Sequence, residues 1–131
     1  MNPVILMGLL ALGAGACRSA DANAPRASPF RFEVQLIPSP PTLGEFFAVR
    51  TRIVDARTGQ PFSGARFRLD ASMPAHGHGM VTQPQHHESG DGWYRSDGMK
   101  FHMPGRWLIT VHAERGEEVA TYELPFEQPP R

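Results

Sequence analysis

Apolar and polar residues alternate along most of the chain after residue 29. Such alternation has the period of a β-strand with one face buried and the other in water. In residues 65–73, for example, Phe67 and Leu69 fall on the apolar side, whereas Arg66 and Arg68 fall on the polar side. The pattern predicts strands over residues 30–37, 46–54, 65–73, 80–85, 93–96, 107–114 and 119–126.

About seven short strands, with no segment patterned as a helix longer than a turn, predict an all-β fold. The architecture that fits is an immunoglobulin-like antiparallel β-sandwich of about seven strands, formed by residues 30–127 as one domain. The 13 glycines and 13 prolines supply the frequent turns that such a fold needs. We expect its large core side chains to be Phe47, Phe67, Tyr94 and Trp107.

Residues 1–17 carry a different pattern, an uncharged apolar run. The run is shorter than the about 20 residues of a transmembrane helix and fits the apolar region of a signal peptide. It ends in Ala-Gly-Ala before Cys17, which resembles the lipobox of bacterial lipoproteins, where the cysteine is lipidated. We therefore expect export and a lipid anchor on Cys17 at the periplasmic face of a bacterial membrane. An ordinary signal peptide cleaved near Ala16 is the alternative.

Residues 18–29 are rich in Ala, Ser, Asp, Asn and Pro, which predicts a flexible tether between the anchor and the domain. The charge balance limits the classes of partner that we expect, since 13 Lys and Arg residues offset 13 Asp and Glu residues. This balance predicts no nucleic-acid partner and no polybasic patch for anionic lipid. The sequence has no serine in a glycine elbow and no glycine-rich phosphate loop, so we expect a binding protein and not an enzyme.

The most distinctive stretch is residues 73–80, which read Met-Pro-Ala-His-Gly-His-Gly-Met. Imidazole binds zinc, copper and nickel, and thioether sulfur favours Cu(I). Gly77 and Gly79 would allow the two histidine rings to turn toward one point. The combination predicts a copper site with a third histidine from a distant strand end. The predicted ligands are His76, His78, His102 and, as the soft donor, Met80.

The same stretch also fits a glycine-rich loop whose methionines pack in the core. Met73 and Met103 share the parity of apolar neighbours, which favours the core for both. His86 and His87 are adjacent, so in a strand they point to opposite faces. His112 lies on the polar side of its strand. These residues are weaker candidates for ligands.

Three segments resemble the YtkA-like/FixH-like family of exported bacterial domains. They are residues 73–80, the Gly-Trp-Tyr of residues 92–94, and the Gly-Met-Lys-Phe-His-Met-Pro-Gly-Arg-Trp of residues 98–107. The resemblance extends over residues 30–126 and implies an immunoglobulin-like sandwich outside the cytoplasm. It places His76 and His78 at the family's histidine pair, and Met103 and Trp107 in its Met-Pro-Gly-x-Trp segment. FixH-like members are linked to copper supply or to the assembly of haem-copper oxidases.

The sequence therefore predicts an exported, lipid-anchored copper chaperone or buffer that acts in oxidase assembly or metal homeostasis. Its partners would be the membrane and a copper-accepting protein. The alternative is a non-metal interaction module of a cell-envelope complex, such as an efflux or secretion assembly. A structural domain stabilised by zinc is a third interpretation.

Overall fold

The computed structural model describes residues 27–131, and eight β-strands make up most of them. The predicted signal peptide, Cys17 and most of the predicted tether lie outside the described residues. The elements are β1 (Phe30–Ile37), β2 (Phe46–Asp55), β3 (Arg66–Met73), a 3-10 helix (Pro74–His76), β4 (His78–Gly79), β5 (Gln85–Gly90), β6 (Trp93–Lys100), β7 (Gly105–Arg115) and β8 (Glu118–Gln128).

The strands form two four-stranded antiparallel sheets that pack face to face. The first sheet has the order β1-β2-β6-β5 and the second has the order β4-β3-β7-β8. If the strands are lettered along the chain with β4 as C′, these orders are A-B-E-D and C′-C-F-G, which is immunoglobulin-like topology. The predicted fold class is confirmed, with eight strands. Between residues 27 and 131, no helix is long and apolar enough to cross a bilayer.

Most of the predicted strands are present, but two predictions were wrong. Residues 80–85 were predicted to form a strand, whereas most of them form an irregular connection from the second sheet to the first. Residues 86–90 were left outside the predicted strands, whereas they belong to the edge strand β5. Because β5 is mostly exposed and polar, it lacks apolar alternation, and its backbone pairing with β6 defines it.

The core lies between the inner faces of the two sheets. The predicted fillers Phe47, Phe67, Tyr94 and Trp107 are all buried, and the inward stripe of β7 is fully buried. All eight strands and the whole buried cluster lie between Phe30 and Gln128. Residues 27–131 therefore contain a complete hydrophobic core, which is what a unit that folds by itself requires.

β1 begins at one end of the sandwich, and three loops that include the predicted histidine ligands lie at the other end. The loops 38–45, 74–84 and 101–104 follow strand ends that meet at one end, which we call the histidine end. Pro29, just before β1, lies at the other end, where its carbonyl accepts the backbone N–H of Ala56 (2.8 Å). The segment before β1 and the histidine end are thus separated by the length of the strands.

Tyr94 joins β6 to the segment that leads into β3. Its hydroxyl donates to the carbonyl of Phe62 (2.6 Å) and accepts the N–H of Ala65 (3.1 Å). Its ring stacks on Phe67 with centroids 4.6 Å apart. Burial raises the pKa of this phenol, so it stays protonated and keeps its donor.

We predict that Tyr94→Phe destabilises residues 27–131 by about 1–3 kcal/mol, because it leaves a buried carbonyl and N–H unpaired. Tyr122→Phe on β8 is the matched control, since Tyr122 is only half-buried, and we expect it to cost less than about 0.5 kcal/mol. Urea unfolding of the three proteins measures the difference. Equal stability of the two variants would show that the Tyr94 hydroxyl is not a structural link.

His86 gives the fold a pH dependence. Its Nδ1 lies 2.8 Å from the hydroxyl oxygen of Ser96, which is fully buried. Burial lowers the pKa of His86, and the Asp70 carboxylate opposes this with a smaller effect. The unfolded chain therefore binds more protons than the folded chain between the folded pKa and about 6.5, the ordinary histidine value.

We predict that the stability contributed by neutral His86 is present above about pH 6.5 and is lost as the pH falls toward the folded pKa. His86→Asn should reduce the loss of stability on acidification, whereas His87→Asn, at the exposed neighbour, should leave it unchanged. Thermal unfolding at neutral and mildly acidic pH tests this. If His86→Asn has the same pH dependence as the unsubstituted domain, another group is responsible.

Candidate metal centre

The hairpin between β3 and β4 carries two of the predicted ligands. Met73, at the end of β3, is 1% exposed and fixes the start of the hairpin in the core. Pro74 opens a single turn of 3-10 helix, and Gly77 closes it in the left-handed conformation, with φ of 67°. Only a residue without a Cβ adopts this conformation without strain. The turn separates His76 from His78, so the two histidines flank a reversal of the chain.

The structure brings the three predicted histidines side by side. The ring centroids of His76 and His78 are 5.8 Å apart, and those of His78 and His102 are 5.4 Å apart. Two imidazoles that bind one ion at about 2 Å have centroids roughly 5 Å apart. Each of these two spacings is therefore close to that of two rings on one ion.

The ring nitrogens do not converge as the side chains stand. Within residues 27–131, no group of three or more His, Cys, Asp or Glu side chains is arranged to hold a metal ion. His78 directs Nδ1 at the carbonyl of Gly79, 3.2 Å away. His76 is exposed and His78 is half-buried, and exposed side chains change rotamer within nanoseconds. A shared ion requires these two rings to turn, while the backbone can stay in place.

His102 is held more firmly than the other two histidines. It follows Phe101, which is fully buried and stacks on Trp107 with centroids 4.7 Å apart. The carbonyl of Phe101 also accepts the N–H of Gly44 (2.8 Å). Nδ1 of His102 is buried and has no hydrogen-bond partner among the described residues. A buried polar atom without a partner is costly, so a ligand that occupied it would relieve that cost.

The Trp107 ring contacts two of the predicted histidines. The sequence pattern predicted Trp107 as a core residue and as part of the family segment, but it did not predict this contact. The ring is fully buried and meets the rings of His78 and His102 edge-on, at 6.2 Å and 5.4 Å. Its indole N–H donates to the carbonyl of Met103 (3.0 Å). The available signal was the short spacing between His102 and Trp107 across a Pro-Gly turn.

The four methionines of residues 27–131 lie in the core or against it, and none has a resolved contact with the three histidines. Met73 and Met99 are buried, and Met80 and Met103 are half-buried against the core cluster. Met80 also donates its backbone N–H to Ala71 (3.1 Å) and lines a hollow beside β3. Gly79 has no positive φ and pairs with Ser72 in β4, so Gly77 alone supplies the left-handed turn of the hairpin.

The remaining histidines lie elsewhere. His86 and His87 point to opposite faces of β5, as predicted, and His86 is the more buried of the two. His112 lies on the outer face of β7, where Nε2 is 2.6 Å from a carboxylate oxygen of Glu114. This contact lowers the pKa of the Glu114 carboxyl. Cys17 lies outside the described residues.

A comparison with protein families supports the resemblance that the sequence predicts. A model of the YtkA-like family matches residues 26–112, well over half of the chain. The matched region runs from just before β1 into β7 and contains all six histidines. No curated protein and no solved structure matched the chain. The chain therefore belongs to the YtkA-like family.

Proposed function

We propose that this protein is an exported copper-binding protein that captures and releases the ion through His76, His78 and His102. The family membership supports an exported bacterial domain. The observation that carries the copper proposal is the buried Nδ1 of His102, which lacks a partner within the described residues beside two further imidazoles. A buried nitrogen without a partner costs the fold stability, so a ligand that bound it would offset that cost.

The donor set favours copper over the other metals that imidazole binds. Structural zinc sites use four strong donors from cysteine, histidine or carboxylate. Methionines neighbour the three histidines in the sequence, and we propose Met80 as the soft donor. Thioether sulfur favours Cu(I), and imidazole also binds Cu(II). The set therefore suits a copper ion that is carried in transit.

The degree of exposure supports a carrier in preference to a catalyst. His76 is exposed at the tip of the hairpin, His78 is half-buried, and His102 is backed by Trp107. Such a gradient lets a partner protein reach the ion from the His76 side. We propose that the protein acts as a chaperone or buffer in oxidase assembly or metal homeostasis. We also propose a lipid anchor on Cys17 that holds it at the periplasmic face of a bacterial membrane.

Trp107 provides a direct readout of copper binding. We predict that residues 27–131 bind about one copper ion at the three-histidine site, with quenching of Trp107 emission because the indole contacts two of the rings. Trp93→Phe leaves Trp107 as the only tryptophan and serves as the background. Copper titration against a competing chelator, under both reducing and oxidising conditions, measures the affinity.

The matched controls remove the same number of histidines from different places. His76→Ala/His78→Ala should abolish both the quenching and the tight binding. His87→Ala/His112→Ala, on the outer faces of the two sheets, should leave both unchanged. Equal copper uptake by the two double variants would exclude the site. Partner binding that persisted in chelator would then favour an interaction module.

A substitution of His102 distinguishes a metal ligand from a residue that serves the fold alone. We predict that His102→Phe raises the stability of the metal-free domain by about 1 kcal/mol, because the aromatic contact with Trp107 is kept and a buried unpaired nitrogen is removed. The same change should weaken copper binding at least tenfold. Urea unfolding and chelator competition measure the two effects. Lower stability with unchanged copper affinity would mean that His102 serves the fold alone.

A further inference from the structure

The outer face of the first sheet carries an excess of positive charge that the neutral composition conceals. Cross-strand register places residues of β1, β2 and β6 on this face in rows. Only two carboxylates, Glu33 and Asp97, lie among its cations within these three strands. We call this surface the cationic face, and its basic residues are Arg31, Arg50, Arg52, Arg95 and Lys100.

Like charges stand opposite each other on the cationic face. Arg50 of β2 is in register with Arg95 of β6, and like charges in this relation destabilise a sheet. Arg95 has an ion pair with Asp97 at 2.9 Å. Among the ion pairs of residues 27–131, the other four cations of this face take no part. The ion pair with Asp97 therefore offsets one charge of this face and leaves the others outside any ion pair of these residues.

Two aromatic rings lie among these cations. The guanidinium groups of Arg50 and Arg52 lie 4.3 Å and 6.0 Å from the ring centroid of Trp93. The ammonium of Lys100 lies 5.1 Å from the ring centroid of Phe46. Phe46 is 67% exposed, an unusual position for phenylalanine. Arg52 also donates to the carbonyl of Asp91 (3.2 Å). The face therefore combines positive charge with aromatic side chains.

The outer face of the second sheet has a different composition. Its strands β3, β7 and β8 place three arginines outward, Arg66, Arg68 and Arg106. They are outnumbered by four carboxylates, Asp70, Glu114, Glu123 and Glu127. The positive excess is thus confined to one outer face of the sandwich. The charge distribution of the domain is therefore asymmetric between its two faces.

We infer that the cationic face binds the surface of an anionic lipid bilayer. Basic residues near such a surface are attracted to its headgroups, and aromatic rings are favoured at the boundary between headgroups and acyl chains. On a broad sheet face, several cations can contact lipid headgroups at the same time. Phe46, at the rim, is placed to enter the boundary. This inference is independent of the proposed copper function.

Vesicle binding tests the inference with residues 27–131, which lack the apolar run that would itself insert into lipid. The domain is mixed with vesicles of phosphatidylcholine alone or of an equimolar mixture with phosphatidylglycerol, and bound protein is measured by sedimentation. We expect binding to the anionic vesicles only, and weaker binding as salt is raised.

Matched charge variants locate the surface. Arg50→Ser/Arg52→Ser should lower the affinity for anionic vesicles about 25-fold, at about fivefold for each cation removed. Arg66→Ser/Arg68→Ser removes the same charge from the opposite face and should change the affinity by less than about twofold. Phe46→Ser should lower the affinity while leaving its salt dependence unchanged, because no charge is lost.

The inference fails if the unsubstituted domain does not bind anionic vesicles, or if both arginine pairs weaken binding equally. It also fails if soluble polyglutamate binds the face and the vesicles do not, because the partner would then be an acidic polypeptide. Circular dichroism confirms the fold of each variant, and Lys100→Ser replaces the Arg50 pair if that variant does not fold. No histidine is altered in these variants. Copper titration of the same proteins therefore tests the copper proposal independently of the vesicle result.

Discussion

The packing of the Trp107 indole is the contact on which both the fold and the candidate site depend. On one side it stacks on Phe101 and closes the core at the histidine end. On the other side its edge meets His78 and His102. Its N–H is satisfied by the carbonyl of Met103, so a large polar-edged ring is buried without an unpaired donor. Trp107 therefore belongs to the hydrophobic core and also forms the surface against which two of the imidazoles pack.

The fold was predictable where burial of one strand face imposes an unbroken period of two on the sequence. β3 and β7 show this, and their boundaries were predicted to within two residues. β6 was predicted only over residues 93–96, because an irregularity in its pairing with β2 interrupts that period. β5 has no such imprint, since its residues are largely exposed and its place is fixed by backbone hydrogen bonds to β6. Residues 80–85 misled for the opposite reason. Val81 is apolar, yet its side chain is 71% exposed in the connection between the sheets.

The proximity of the three predicted histidines could be predicted from the sequence, whereas the directions of their ring nitrogens could not. The spacing of His76 and His78 around a glycine indicated two nearby rings, and the topology places His102 beside them. The directions of the nitrogens and the role of Trp107 depend on packing between distant segments, which local spacing does not encode. The cationic face was hidden for a related reason. Its charges occupy alternate positions of separate strands, so neither the net charge nor any short stretch of sequence reveals them.

The opposite placement of Pro29 and the imidazoles has a mechanical consequence. The two positions are separated by roughly 30 Å, the length of a strand of about ten residues. A molecule that contacts the imidazoles therefore meets the loops of the histidine end and not Pro29 or the first residues of β1. The two ends of the sandwich can thus change in sequence without direct contact between the altered residues.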